Sequence, residues 1–405
     1  MHRMGRRALG LLAVVLASCG ASERAPNDVR VALYRVELAN GFDDADARSP
    51  AIAEAIEKSG ADVVCIQRAW LGQKSKLIER LRAKYPYAIV LPTNADTQPT
   101  DARDQNGNVP PRPTAPPCAD PKSKAALDPA IKCLADNCAR TPGDINSPVK
   151  DEKCPVSFCT AELLQLSNSA RTCFGCGRIG LEERSIEGAR KWCTTEVNAG
   201  FAHAGEHGGA LISRLPFVDS ELHVLPSTWN KSVVLRGSLR LSNGATVDAY
   251  CAQLDDAREG GLTDPYAGAY GKGQTDVDGW RNEQMLQAER TVAFVASKNR
   301  PAIVVGDFGT SPALPPLSAN RAPATYGYLA AQWTQTDSAP SCTWCNDHGG
   351  WWTDTEPQTR TLWIFARGAD IKSGGVAFTE RTFTMKGVPV TPTWQYGVAS
   401  TISVR

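Results

Sequence analysis

Eight of the thirteen cysteines fall between Cys118 and Cys193, and this clustering divides the chain more sharply than any other feature of the sequence. Cys118, Cys133, Cys138, Cys154, Cys159, Cys173, Cys176 and Cys193 lie in a stretch with no strand or helix rhythm, entered through the Pro-rich "NGNVPPRPTAPPCADP". Cys342 and Cys345 form a second, smaller group. Such groups satisfy one another as disulfides in an oxidising compartment, or bind zinc. The Cys-x-x-Cys spacings at Cys173/Cys176 and Cys342/Cys345, with His203, His207 and His348 available, suit either use.

The first residues decide between these uses. "MHRMGRRALGLLAVVLASCG" has a basic front end, a short apolar run and small residues before a lone cysteine, the layout of an export signal. The run is too short to span a membrane. Leu16-Ala17-Ser18-Cys19 resembles the bacterial lipobox. That resemblance implies cleavage after residue 18, acylation of Cys19 and anchoring in the cell envelope, with Gly20 favouring the outer membrane. More than one acyl chain suffices for stable anchoring. An exported chain favours disulfides over zinc for the clustered cysteines, whereas Cys65 and Cys251, inside apolar strand patterns, read as buried thiols. Loss of the leader's Arg3, Arg6 and Arg7 leaves the 44 basic and 43 acidic residues of the whole chain near balance. Nothing there forms the concentrated basic face that nucleic acid requires.

Outside the cysteine-rich stretch the chain alternates strand and helix patterns. "DVRVALYRV" alternates Val29, Val31 and Leu33 with smaller or polar residues, and Arg35 is next on that face. A helix is expected from Pro50 to a stop at Gly60, and another in "SKLIERLRAKYPYA". In "DVVCIQRAW", Val64 and Ile66 share a face with Arg68. Strands are expected in "GGALISRLPF", "SVVLRGSLRL", "ATVDAYCAQL", "PAIVVGDFG", "RTLWIFARG" and "PTWQYGVASTI". "WRNEQMLQAERTVAFVASK" repeats Met285, Val292 and Val295 at helical spacing. The division that follows is a signal peptide over 1–18, a tether over 19–28 and one α/β (α+β) domain over 29–405. A disulfide-stapled insertion over 95–202, with a helical piece near "CTAELLQLSNSA", interrupts that domain.

In chain order, "ALYRV", "GADVVCIQRAW", "KYPYA", "GGALISRLPF", "VDAYCAQLD", "RNEQ", "VVGDFGTSP", "LWIFARG" and "WQYGV" resemble the endonuclease/exonuclease/phosphatase superfamily, and within it the exported, neutral-sphingomyelinase-like branch. The resemblance implies a four-layer α-β-β-α sandwich with a site at the strand ends. It also implies a phosphodiesterase chemistry in which a Glu holds a divalent cation such as Mg²⁺ or Ca²⁺ and a His, helped by an Asp, handles the attacking water.

Carried over one position at a time, that site is nearly gone. The first-strand Asn falls on Arg35, the metal-binding Glu on Arg68, and the His of the "HL" pair on Gln253. Asp307 keeps its Asp, but the Asn two residues on is Gly309. The strand Asp falls on Leu362, and the closing Asp-His pair on Trp394 and Gln395. An arginine about 5 Å from a divalent ion repels it by roughly 7 kcal/mol at an effective dielectric near 20. The resemblance therefore implies a catalytically inactive pseudoenzyme with no metal or other cofactor. Such a protein would act as a membrane-tethered binding or interaction lipoprotein, with Arg35 and Arg68 as candidate anion-binding groups for a phosphate-bearing ligand. The competing expectation for the two arginines is an internal ion pair with Asp307. The competing function is a divergent phosphodiesterase with a rebuilt site, which needs a base near Asp307 from among His203, His207, His223 and His348. Trp363 and Trp394 read as packing residues.

Overall fold

The computed structural model describes residues 25–38, 45–69, 76–91, 103, 107–108, 118–150, 154–167, 170–171, 173–174, 184–194, 208–227, 232–256, 270–272, 277–312, 317, 322–337, 341–345, 358–385 and 387–405. The signal peptide expected over 1–18, Cys19, Cys176, His203, His207 and His348 lie outside them.

Two six-stranded sheets pack face to face. The first runs β11 (Ala369–Ala377), β12 (Gly397–Val404), β1 (Asp28–Arg35), β2 (Val63–Gln67), β4 (Ala210–Ser213), β3 (Tyr87–Val90). The second runs β5 (Phe217–Val224), β6 (Val233–Arg240), β7 (Thr246–Gln253), β8 (Ala302–Asp307), β10 (Leu362–Arg367), β9 (Thr334–Gln335). Each sheet contains one parallel pair, β1 with β2 and β7 with β8. A parallel pair needs a crossover connection. The helix Ala45–Lys58 lies within the first and the helix Val277–Ser297 within the second.

Side-chain alternation along each strand builds three apolar layers. Val29, Val31 and Leu33 of β1 meet Val247, Ala249, Ile303, Val305 and Ile364 of the other sheet in the central layer. Ala32 and Tyr34 point the other way, onto Ile52 and Ile56 of the first helix. On the far side Tyr250, Ala252, Val304 and Phe365 pack on Ala288, Phe294 and Val295, with Leu329 of the helix Pro323–Gln332. Strands buried on both faces read as near-continuous apolar runs, which is why all five residues of β2 are buried. The four-layer α-β-β-α sandwich expected from the sequence is the observed architecture.

Three local expectations differ. The first helix begins at Ala45 rather than Pro50, because its opening turn is held by Arg48 and Ser49, both fully buried. The buried face of Val277–Ser297 carries Glu283, Gln284, Gln287 and Thr291, whereas Met285 and Val292 are only partly buried. Val295 is buried as the hydrophobic period implies, but the period missed the polar part of that face, whose amides hold loop backbone: Gln284 Nε2 donates to the carbonyls of Asp255, Phe308 and Gly309. Finally, Cys65 and Cys251 are not thiols. They form a disulfide that ties β2 to β7 across the central layer, with both residues 1% exposed.

The cysteine-rich segment has a core of its own, drawn from residues between Cys118 and Cys193. It is stapled by Cys118–Cys173, Cys133–Cys159 and Cys138–Cys154; Cys193 is disulfide-bonded as well. Short helices such as Pro121–Ala126, capped by Asp120 on the amides of Lys122 and Ser123, surround those bonds. The helical piece expected near residue 160 is Thr160–Leu164. Disulfide bonding of these cysteines removes the thiolates a zinc site requires. Among the described residues no group of three or more His, Cys, Asp or Glu side chains is placed to hold a metal ion, and no helix is long and apolar enough to cross a membrane.

Candidate functional site

The site lies between the two sheets, where β1, β2, β7 and β8 end and β10 begins. Arg35 closes β1 on the face of Val31 and Leu33, so its side chain enters the central layer, 2% exposed. From there its Nη1 reaches Asp307 Oδ2, at the end of β8 in the opposite sheet, at 3.0 Å. Its Nε donates to Glu37 Oε1, two residues along its own strand direction. Burial alone would lower the Arg35 pKa, but the carboxylates of Glu37, Asp307 and Asp256 more than offset that and raise it. Arg35 is thus a permanent cation at any pH the fold survives.

Arg68 arrives by a different route. Strand alternation places Val64 and Ile66 toward the helices, not toward the site, and an extended Arg68 would follow them. Its backbone instead turns into the left-handed region, φ 53°, and its Nη1 pairs with Glu37 Oε1 at 3.1 Å. Glu37 is left-handed too, φ 45°. Left-handed backbone at two non-glycine residues costs of order 1–3 kcal/mol each unless the surroundings enforce it. Arg48 supplies that enforcement for Glu37, donating to the carbonyls of Val36, Glu37 and Pro392 at 3.2, 2.6 and 3.0 Å. The β1 end is thereby tied to the segment leading into Trp394 and Gln395.

The other expected positions assemble around Asp307. Gln253 on β7 and Leu362 on β10 are its direct neighbours across the sheet, both buried. Asp307 Oδ1 accepts from the Gly309 amide at 3.3 Å. Gln395 is 1% exposed; its Oε1 accepts from Thr361 Oγ1 at 3.5 Å, and its Nε2 has no partner among the described residues. Trp394 is partly buried. Trp363 belongs to the helix-side layer, donating to the Thr310 carbonyl at 2.9 Å and packing near Tyr326 and Phe365. His223 lies on the edge strand β5, stacked on Phe294. Phe294 belongs to the helix-side layer, so His223 packs there.

Gly309 follows a backbone path that leaves no room for a side chain. Its φ of 57° suits an Asn, but a Cβ there would stand 2.9 Å from the Asp255 carbonyl, the Asp256 Cα and Gln284 Nε2. Two of those three atoms are backbone and cannot yield cheaply. Gly309→Asn is expected to lower stability by about 1–3 kcal/mol in chemical denaturation, the usual cost of overpacking. An unchanged midpoint would mean that this loop relaxes freely.

Two of the residues that build the site were not singled out from the sequence. Glu37 had a signal, since it lies two residues past Arg35 and alternation puts it on the same face. Arg48 had none, because its acceptors are carbonyls contributed by distant loops.

A divalent cation does not fit the side chains present. The space between Asp307 and the β1 end is taken by a guanidinium, and the two arginines are balanced by Glu37 and Asp307. What this arrangement can do chemically is hold a fixed positive charge between the sheets without metal.

The endonuclease/exonuclease/phosphatase family model matches residues 39–367, and the chain belongs to that family. Its fold is similar to that of sphingomyelinase C from Streptomyces griseocarneus, at 13% identity and a TM-score of 0.51, covering 92% of this chain and 99% of that one. Looser likenesses include Danio rerio TDP2 complexed with a single-strand DNA product (10% identity, TM-score 0.48, 93% and 98% covered). The human Nocturnin catalytic domain with a bound sulfate anion is another (12% identity, TM-score 0.48, 94% and 95% covered). A comparison with curated protein sequences gives no match.

Proposed function

We propose that this protein is a non-catalytic member of its family, an envelope lipoprotein anchored through Cys19 that binds or recruits rather than hydrolyses. The observation that carries this reading is the Arg35 guanidinium, on the strand position where the resemblance implies an Asn, held between Glu37 and Asp307. The charge a cation would supply is built into the chain, while Gln253, Leu362, Trp394 and Gln395 provide neither an anionic ligand nor a base. The disulfides, including one buried between the sheets, support an exported location.

For a phosphate-bearing ligand the two arginines are unequal. Arg35 is sealed between carboxylates, whereas the Arg68 side chain is 18% exposed and is the one an anion can meet. The test is hydrolysis of a chromogenic phosphodiester, sphingomyelin and plasmid DNA by the form lacking residues 1–19, with Mg²⁺, Ca²⁺, Mn²⁺ or Zn²⁺ and with Asp307→Ala beside it. No turnover above background is expected with any metal. Turnover that disappears in Asp307→Ala would replace this reading with a divergent phosphodiesterase. Phosphate-ligand binding lost in Arg68→Ala would assign the anion role.

A further inference from the structure

The Cys342–Cys345 bond serves neither the core nor the cysteine-rich segment. It closes a loop of sequence separation 3, the shortest among the described disulfides. Cys342 is partly exposed, while the eight cysteines of the other four described disulfides are buried, at 9% or less. The shorter the loop a disulfide closes, the less it constrains the unfolded chain, so opening this one leaves the fold standing. The sulfurs of Cys65 and Cys251, in contrast, are reached only by unfolding.

The loop also grips both segments that carry the altered site. Thr343 Oγ1 accepts from the Thr361 amide, next to Leu362, at 3.3 Å, and the Thr343 carbonyl accepts from the Tyr396 amide, next to Gln395, at 2.9 Å. The amides of Thr343 and Trp344 both donate to the Thr359 carbonyl, at 3.0 and 2.9 Å. Thr343 and Trp344 are the two residues between the cysteines, so the disulfide fixes the groups that do the gripping.

We propose that Cys342–Cys345 is a redox-active disulfide, opened by an external dithiol that attacks the Cys342 sulfur, and that its opening releases the grip on Thr361 and Tyr396. A thiolate of the dithiol bonds to Cys342 Sγ, the Cys342–Cys345 bond breaks, and Cys345 leaves as a thiolate and takes a proton. The second thiol of the reductant then displaces Cys342, so two thiols form here and one disulfide forms on the reductant. The inference is independent of whether the site hydrolyses anything.

The test is alkylation and peptide mass spectrometry of the full chain equilibrated with dithiothreitol at graded concentrations. Cys342 and Cys345 are expected to label at roughly tenfold lower dithiol than Cys65 and Cys251, while the circular dichroism stays native. Labelling of all four together, with loss of native signal, would overturn the exchange. In Cys345→Ser, oxidised glutathione should trap a mixed disulfide on Cys342, and in Cys342→Ser the buried Cys345 should trap it at least tenfold more slowly; equal rates would overturn the assignment of the attacked sulfur. Hydrogen exchange at the Thr361 and Tyr396 amides is expected to quicken about tenfold in the reduced protein, and unchanged exchange would overturn the coupling.

Discussion

Replacing Arg35 by Met is expected to cost about 3–5 kcal/mol at neutral pH, read as a fall in the chemical denaturation midpoint. The methionine fills much of the volume but removes the guanidinium paired with Asp307, which is 3% exposed and has no other ion pair among the described residues. Breaking one side of a buried pair costs far more than the pair contributes net. Adding Asp307→Leu should recover most of the loss, since an apolar pair of similar volume replaces an ion pair at little cost. If Arg35→Met costs under about 1 kcal/mol, the network is not the buried, mutually dependent one described.

Converting Cys65 and Cys251 together to Ala should be the most destabilising change in the molecule. The bond joins residues 186 apart. In the chain-entropy account a loop of that size contributes about 5 kcal/mol, against about 2 kcal/mol for a four-residue loop. The double variant also leaves Gln67 Nε2, which lies 3.2 Å from both sulfurs, only the Ala252 carbonyl at 3.0 Å. Marginal folds do not survive such a loss. The expected result is a protein that is unfolded at ambient temperature or melts far below the native one, whereas Cys342→Ala with Cys345→Ala should shift the melting temperature little. Similar melting for the two double variants would show that the bond between the sheets is not a principal constraint.

These contacts give the strand-end cluster a physical account. A guanidinium between the sheets pairs with Glu37 and Asp307, and Arg48 holds the backbone that presents Glu37. Because Arg35, Arg68, Glu37 and Asp307 balance one another, changing any one of them unbalances the rest. Arg68→Glu, for instance, would place a third carboxylate beside Glu37 and Asp307 while Arg35 still occupies the centre.

Much of this was legible in the sequence, and the reason is local. Period-two alternation in "DVRVALYRV" and "PAIVVGDFG" places Arg35 and Asp307 on the faces of Leu33 and Val305, and neither inference needs a distant residue. The ordered strand and helix blocks likewise determined the layered fold, since apolar faces on both sides of a strand must be covered on both sides. Cysteine clustering, with the export-like pattern of the first residues, made the clustered cysteines read as disulfides. Tertiary structure alone decided the rest. It turned Cys65 and Cys251 from apparent thiols into a bond, because only packing brings β2 and β7 to a Cα separation of 5.3 Å. It turned Arg68 into the site against its own strand alternation, through a left-handed backbone that pattern does not encode. And it chose Arg48 as the clamp on Glu37 and Pro392, because backbone carbonyls have no side-chain identity for a sequence to display.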